Sequence, residues 1–201
     1  MKKIGITGPT GAGKSMLSSY LREQGVPVID ADALYHSLLV PPSDCLDALR
    51  RAFGDMVFFE NGELNRQELG KIVFSDKEKL ALLNETVLGF VLDEARSIFD
   101  RYEKEGVTLA GVDAPTLIES GFHRECDIVV SVLAEPSLRV ERIMARDNID
   151  RNAAQMRVDA QRPDAFYAES SQVLIENNTN SEEFLKRCGA LLDAIKSGGS
   201  L

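Results

Sequence analysis

Tryptophan is missing from this 201-residue chain, and cysteine and histidine are scarce, at three and two residues. Cys45, Cys126 and Cys188 are odd in number, far apart and in no C-x-x-C pair. That spacing argues against a disulfide framework or a zinc site, so they are expected as small, partly buried apolar residues. His36 and His123 lack a third ligand at metal spacing. No apolar run approaches the about 18 residues a membrane helix needs. The N-terminus has the lysines of a signal peptide, but glycines interrupt it at once, so a cytoplasmic protein with no membrane partner is expected. Basic residues are the minority, 23 Lys and Arg against 32 Asp and Glu, a net charge of -9. That balance argues against a duplex nucleic-acid partner, whose footprint is a basic face. The guanine-reading N-K-x-D of switch GTPases is also absent.

What is present is an ordinary globular composition, 44% hydrophobic and 27% charged. The length suits one domain with an insertion. Short apolar runs at 2–7, 26–29, 107–112, 128–133 and 173–175 alternate with helical stretches. Unalternated apolar strands separated by helices predict a parallel sheet covered on both faces. A helix is expected over 14–24, stopped by Gly25. Ser75-Asp76-Lys77-Glu78 reads as a capping box before a long amphipathic helix, Asn65-Arg66-Gln67-Glu68 opens a shorter one, and Pro136 suits a first turn. Residues 37–105 contain no convincing strand pair and read as a helical insertion. The tail at 197–201 is expected to fray.

Gly8-Pro9-Thr10-Gly11-Ala12-Gly13-Lys14-Ser15 matches G-x-x-x-x-G-K-[ST] between a predicted strand and a predicted helix. Successive backbone N–H groups can wrap a phosphate only if the chain bends sharply and approaches closely, which Gly11 and Gly13 permit. The helix start adds partial positive charge. Lys14 can reach the β- and γ-phosphates, and the Ser15 hydroxyl can ligate Mg²⁺. A short chain with such a loop and a helical insertion reads as a small-molecule kinase that closes over its substrates.

Ile29-Asp30-Ala31-Asp32 ends the second strand, where side chains point into the ligand crevice of a parallel sheet. On extended chain Asp30 and Asp32 share one side. The pair can orient an acceptor hydroxyl, take its proton or hold Mg²⁺ through water; alternatively Asp32 caps the helix that follows. Arg139, Arg142 and Arg146 share a helix face. They either clamp phosphates or lie solvated beside Glu135, Glu141 and Asp147. Asn177 either bonds adenine or makes a turn. Phe53, Phe58 and Phe59 either line an apolar channel or pack in the core.

Together these residues resemble the dephospho-CoA kinase family. The resemblance runs from Gly5-Ile6-Thr7-Gly8 through Ser15, to Ile29-Asp30-Ala31-Asp32 with His36, then Phe53-Gly54 and Gly62-Glu63-Leu64-Asn65-Arg66. It continues through Asp113-Ala114-Pro115-Thr116-Leu117-Ile118-Glu119, the three arginines, Arg157-Val158-Asp159-Ala160-Gln161 and Ile175-Glu176-Asn177-Asn178. It implies an α/β P-loop kinase over 1–201, with a five-stranded parallel sheet covered by helices. A helical substrate subdomain over 38–105 and an arginine-bearing lid over 137–165 are implied too. The implied reaction moves the γ-phosphoryl group of ATP, with Mg²⁺, to the ribose 3′-hydroxyl of dephospho-CoA. The implied catalytic residues are Asp32, Lys14 and Arg146. Gly11, Ala12, Gly13, Lys14, Ser15, Met16, Arg142 and Asn177 would bind ATP. Thr7, Asp30, Asp32, His36, Pro115 and Leu117 would bind the acceptor.

Three departures from the family pattern stand out: Leu88-Gly89 in place of His-Pro, Thr116 in place of Leu, and Ser171-Gln172 in place of Ala-Asp. The loop also resembles that of tRNA dimethylallyltransferases, but their D-S-x-Q is absent. A nucleoside monophosphate kinase and a nucleotide-dependent binding module are the other readings.

Overall fold

A computed structural model describes residues 1–198. Five strands, β1 (Lys2–Thr7), β2 (Val28–Asp30), β3 (Leu109–Asp113), β4 (Ile128–Leu133) and β5 (Val173–Glu176), form a parallel sheet in the order β2-β3-β1-β4-β5. All five expected strands are found; β1 and β4 keep the expected bounds, and β2, β3 and β5 have shifted ends. β2 begins at Val28 because Pro27 has no N–H to give; its carbonyl instead accepts from Gly111. Register brings Ile6 beside Asp113 and Thr7 beside Ser131, so β3 ends one residue short of the carboxyl end of β1 and β4 runs two residues past it.

The chain divides into two compact units: Met1–Ile29 with Glu103–Leu201, and Asp30–Tyr102. In the first, α1 (Lys14–Glu23) and α9 (Ser181–Ser197) supply Leu17, Leu21, Phe184 and Leu192 to a core with Ile4, Ile6, Val130 and Val132 of the sheet. Two further helices, α6 (Pro136–Asp147) and α7 (Arg151–Asp159), join through Val140, Ile143, Ala154 and Val158. Short α8 (Asp164–Ser170) buries Tyr167 against Ile118 and Leu133. Cys45, Cys126 and Cys188 are free thiols, Cys45 and Cys188 buried and Cys126 partly so. Burial, with Glu125 nearby, pushes the Cys126 thiol up to about 12.

The departure at Ser171-Gln172 has a structural use. Ser171 Oγ lies 2.6 Å from Ser131 Oγ, and Gln172 Oε1 accepts from Val129 N–H at 2.7 Å, stitching the start of β5 to β4.

The second unit holds α2 (Ala31–Leu38), α3 (Asp44–Phe53), α4 (Arg66–Phe74) and most of α5 (Lys77–Lys104). An isolated bridge between Phe58 and Leu64 is the β pairing described here. Leu46, Leu49, Val87 and Val91 anchor one apolar cluster; Val57, Leu69 and Val73 anchor another. Phe53 and Phe58 pack against both, whereas Phe59 is exposed.

Two local expectations are corrected. Asp76, not Ser75, caps α5: its Oδ1 accepts from Glu78 and Lys79 N–H. Ser75 closes α4, so its hydroxyl bonds back to the Lys71 and Ile72 carbonyls. The tail was expected to fray from 197, yet Ser197 completes α9 and Gly198 follows it at φ 68. The remaining tail positions lie outside the described residues.

Candidate functional site

The phosphate loop runs from β1 into α1 as a close-packed bend. Gly8, Gly11 and Gly13 have φ of 133, 77 and 111. Each also meets a neighbour that a side chain would strike. A Cβ on Gly8 would lie 2.2 Å from the Val132 carbonyl oxygen. On Gly11 it would lie 2.9 Å from the Arg139 carbonyl oxygen, and on Gly13 2.2 Å from Asn177 Nδ2. No side chain caps α1, so its first N–H groups keep the partial positive charge that attracts phosphate.

Around the bend, side chains hold successive carbonyls. Arg139 Nε donates to Thr10 O at 3.0 Å. Arg142 Nη1 donates to Gly11 O at 3.3 Å and Ala12 O at 3.5 Å, and its Nη2 to Asn177 O at 2.9 Å. Asn177 Nδ2 donates to Ala12 O at 2.8 Å. Lys14 Nζ donates to Gly8 O at 2.7 Å and Pro9 O at 3.2 Å. Thr10 N–H donates to Gln161 Oε1 at 3.2 Å. Arg139 and Asn177 are buried, at 4% and 3% exposure. Burial pulls the Arg139 guanidinium below its usual range, against the raising influence of Asp164 and Tyr167.

Arg146 lies elsewhere on α6. It is exposed and grips Asp147 with two bonds, 2.7 and 2.9 Å, and Arg157 binds the same carboxylate. The hydrogen bond from Arg146 is the main reason the Asp147 carboxyl is held below its ordinary value, and the same bond raises Arg146. Asp147 thus stands where a phosphate oxygen could meet two guanidiniums.

At the carboxyl end of β1, Thr7 is buried and its Oγ1 donates to Pro115 O at 3.3 Å. Ser18 Oγ donates to Asp113 Oδ2 at 2.6 Å. Pro115 is exposed, whereas Leu117 is fully buried, against Gly5. Ser15 is exposed and Met16 half-buried in the first turn of α1.

Asp30, Asp32 and His36 belong to the second unit. The acidic pair does not alternate on extended chain as expected, because α2 begins at Ala31. The cap is Asp30, whose Oδ1 accepts from Ala33 N–H at 2.9 Å; Asp32 is left in the first turn, exposed and not the cap. His36, also exposed, lies one turn on from Asp32, so both project from one face of α2.

Sequence reasoning put Arg142, Asn177 and the glycines in one place, and the structure unites them. It missed Gln161, which accepts from Thr10 of the loop, and Asp113, which accepts from Ser18 of α1, although both sit in the motifs that carry the resemblance. The signal was their position: Asp113 ends a strand beside β1, and Gln161 follows α7.

This strand order, with a glycine-rich phosphate loop after β1, defines a P-loop kinase. A sequence model of the dephospho-CoA kinase family matches residues 2–183. A dephospho-CoA kinase of Shouchella clausii is 34% identical over 180 residues, 90% of this chain and 91% of its own. A crystal structure from Thermus thermophilus aligns at a TM-score of 0.78 and 32% identity, covering 96% of each chain. The Campylobacter jejuni dephospho-CoA kinase shares the fold at 0.73 and 24%, covering 98% of this chain and 99% of its own. The chain belongs to the dephospho-CoA kinase family, which are ATP-using kinases.

Proposed function

We propose that this protein transfers the γ-phosphoryl group of ATP to the ribose 3′-hydroxyl of dephospho-CoA, giving coenzyme A and ADP in the cytoplasm. The observation that carries the reading is the braced phosphate loop in a chain the family matches over 2–183. Phosphoryl transfer needs positioning and charge neutralisation more than covalent chemistry, and such a loop supplies both.

In this reading Gly11 to Met16 bind the nucleotide phosphates, with Arg142 and Asn177 contributing through the loop. Lys14 leaves the Gly8 and Pro9 carbonyls to meet the β- and γ-phosphates. Arg146 exchanges Asp147 for the transferring group. Asp32, exposed and uncommitted to a cap, orients the acceptor hydroxyl and takes its proton. Asp30, His36, Thr7, Pro115 and Leu117 shape the acceptor site, Leu117 from within the core. Residues 38–105 hold the acceptor and 137–165 act as a lid. Arg139 and Arg142 root that lid on the loop, so its mobile part begins beyond them.

Among the described residues no cluster of three or more His, Cys, Asp or Glu is arranged to hold a metal. That fits Mg²⁺, which keeps several waters and is bound mainly by nucleotide oxygens, with the Ser15 hydroxyl as the protein's ligand. When bound, the ion neutralises charge on the phosphates.

The test is ADP release from Mg-ATP with dephospho-CoA, adenosine monophosphate, shikimate or no acceptor. Release should depend on dephospho-CoA, with coenzyme A as product. Asp32→Asn should lower kcat by roughly 10²-fold or more and leave ATP affinity unchanged. No acceptor-dependent release despite ATP binding would favour a binding module.

A further inference from the structure

Arg139 is a guanidinium in a place that should not tolerate one. It is 4% exposed, and its Nη2 has no hydrogen-bond partner. Burying a charge and orphaning a donor both destabilise the fold. An apolar side chain of the same length would suit the site better for stability alone. Asp164 and Tyr167 favour its charge, and the hydrogen bond that distinguishes arginine here among the described residues is Nε to Thr10 O, at 3.0 Å.

That contact acts across a peptide plane. In a trans peptide the C=O of one residue and the N–H of the next point in opposite directions. Holding the Thr10 carbonyl toward Arg139 therefore turns the Gly11 N–H away from α6. Arg142 and Asn177 hold Ala12 O and so aim the Gly13 N–H in the same way. Ala12 N–H is taken by Pro9 O in a turn, which leaves the Thr10–Gly11 plane to Arg139. Gly11 has φ 77 and packs on the Arg139 backbone, and on its side of this plane there is no side chain to resist a turn.

We propose that Arg139 is a positioning residue: it presets the Thr10–Gly11 peptide so that the Gly11 N–H is aimed at nucleotide phosphate before the nucleotide arrives. It touches no substrate, and its stability penalty is offset by nucleotide affinity. The proposal rests on the phosphate-loop part of the functional reading and not on the acceptor.

The test compares the parent protein with Arg139→Met and Arg139→Lys. Melting without nucleotide and Mg-ADP affinity by titration calorimetry are measured on each. Arg139→Met should melt at or above the parent temperature yet bind Mg-ADP about ten-fold more weakly. Arg139→Lys, which keeps one donor, should recover part of that affinity. Parental affinity in the Met variant overturns the proposal. So does a fall in melting temperature with affinity that the Lys variant does not relieve, which marks a merely structural role. If the Met variant does not fold, the Lys variant decides: intermediate affinity supports the proposal, and parental affinity overturns it. A parent that binds Mg-ADP but shows no dephospho-CoA-dependent turnover overturns the acceptor reading alone. A parent that binds no Mg-ADP overturns this proposal as well.

Discussion

The braced phosphate loop of the first unit and the acidic helix of the second hold their candidate functional residues in opposite ways. In the first, Arg139, Asn177 and Thr7 are buried and bonded to backbone, and Arg139 and Asn177 hold loop carbonyls with no ligand bound. In the second, Asp32 and His36 stand exposed on a helix, and Tyr35, Val40, Met56, Phe59, Phe74 and Leu82 are exposed large apolar groups. Phosphate recognition depends on backbone N–H direction, which only surrounding structure can hold. Recognition of a larger acceptor can instead use side chains that settle on the ligand.

Glycine substitutions break this comparison most sharply. Gly8→Ala would place a Cβ 2.2 Å from a backbone oxygen at φ 133. It should destabilise the protein by roughly 3 kcal/mol, read as a melting-temperature drop of about 6–12 °C. Asn177→Ala comes next. It removes the 2.8 Å bond to Ala12 O and should cost about 2 kcal/mol, with weaker Mg-ADP binding by calorimetry. The same Gly→Ala change in the second unit should have the opposite sign. Gly89 lies within α5, with nothing within 4 Å of a built Cβ. Gly89→Ala should stabilise by about 0.5–1 kcal/mol, a rise of a few degrees in a melt. If Gly89→Ala instead abolished dephospho-CoA-dependent turnover with stability intact, this departure from the family pattern would belong to the acceptor site.

Fold and loop were legible because their signals are local. Continuous apolar runs marked all five strands, and Asn65 was found capping α4 through Glu68 N–H as its spacing suggested. The errors came where two neighbours compete for one role. Ser75 and Asp76 are both good caps, and the hydroxyl went to the helix behind and the carboxylate to the helix ahead. Asp30 and Asp32 posed the same problem: α2 starts two residues earlier, at Ala31 rather than Ala33, which moved the cap to Asp30 and released Asp32.

Arg139, Arg142 and Arg146 show the limit most clearly. From the chain alone they are one cationic helix face. In the fold one is buried under the phosphate loop, one bridges the loop to Asn177, and one is exposed on Asp147. The order of residues carries helical phase, strand runs, caps and the glycine pattern, because those depend on neighbours a few positions away. Which guanidinium meets which oxygen depends on how α6 packs beside a loop more than a hundred residues earlier in the chain, and only tertiary packing decides that.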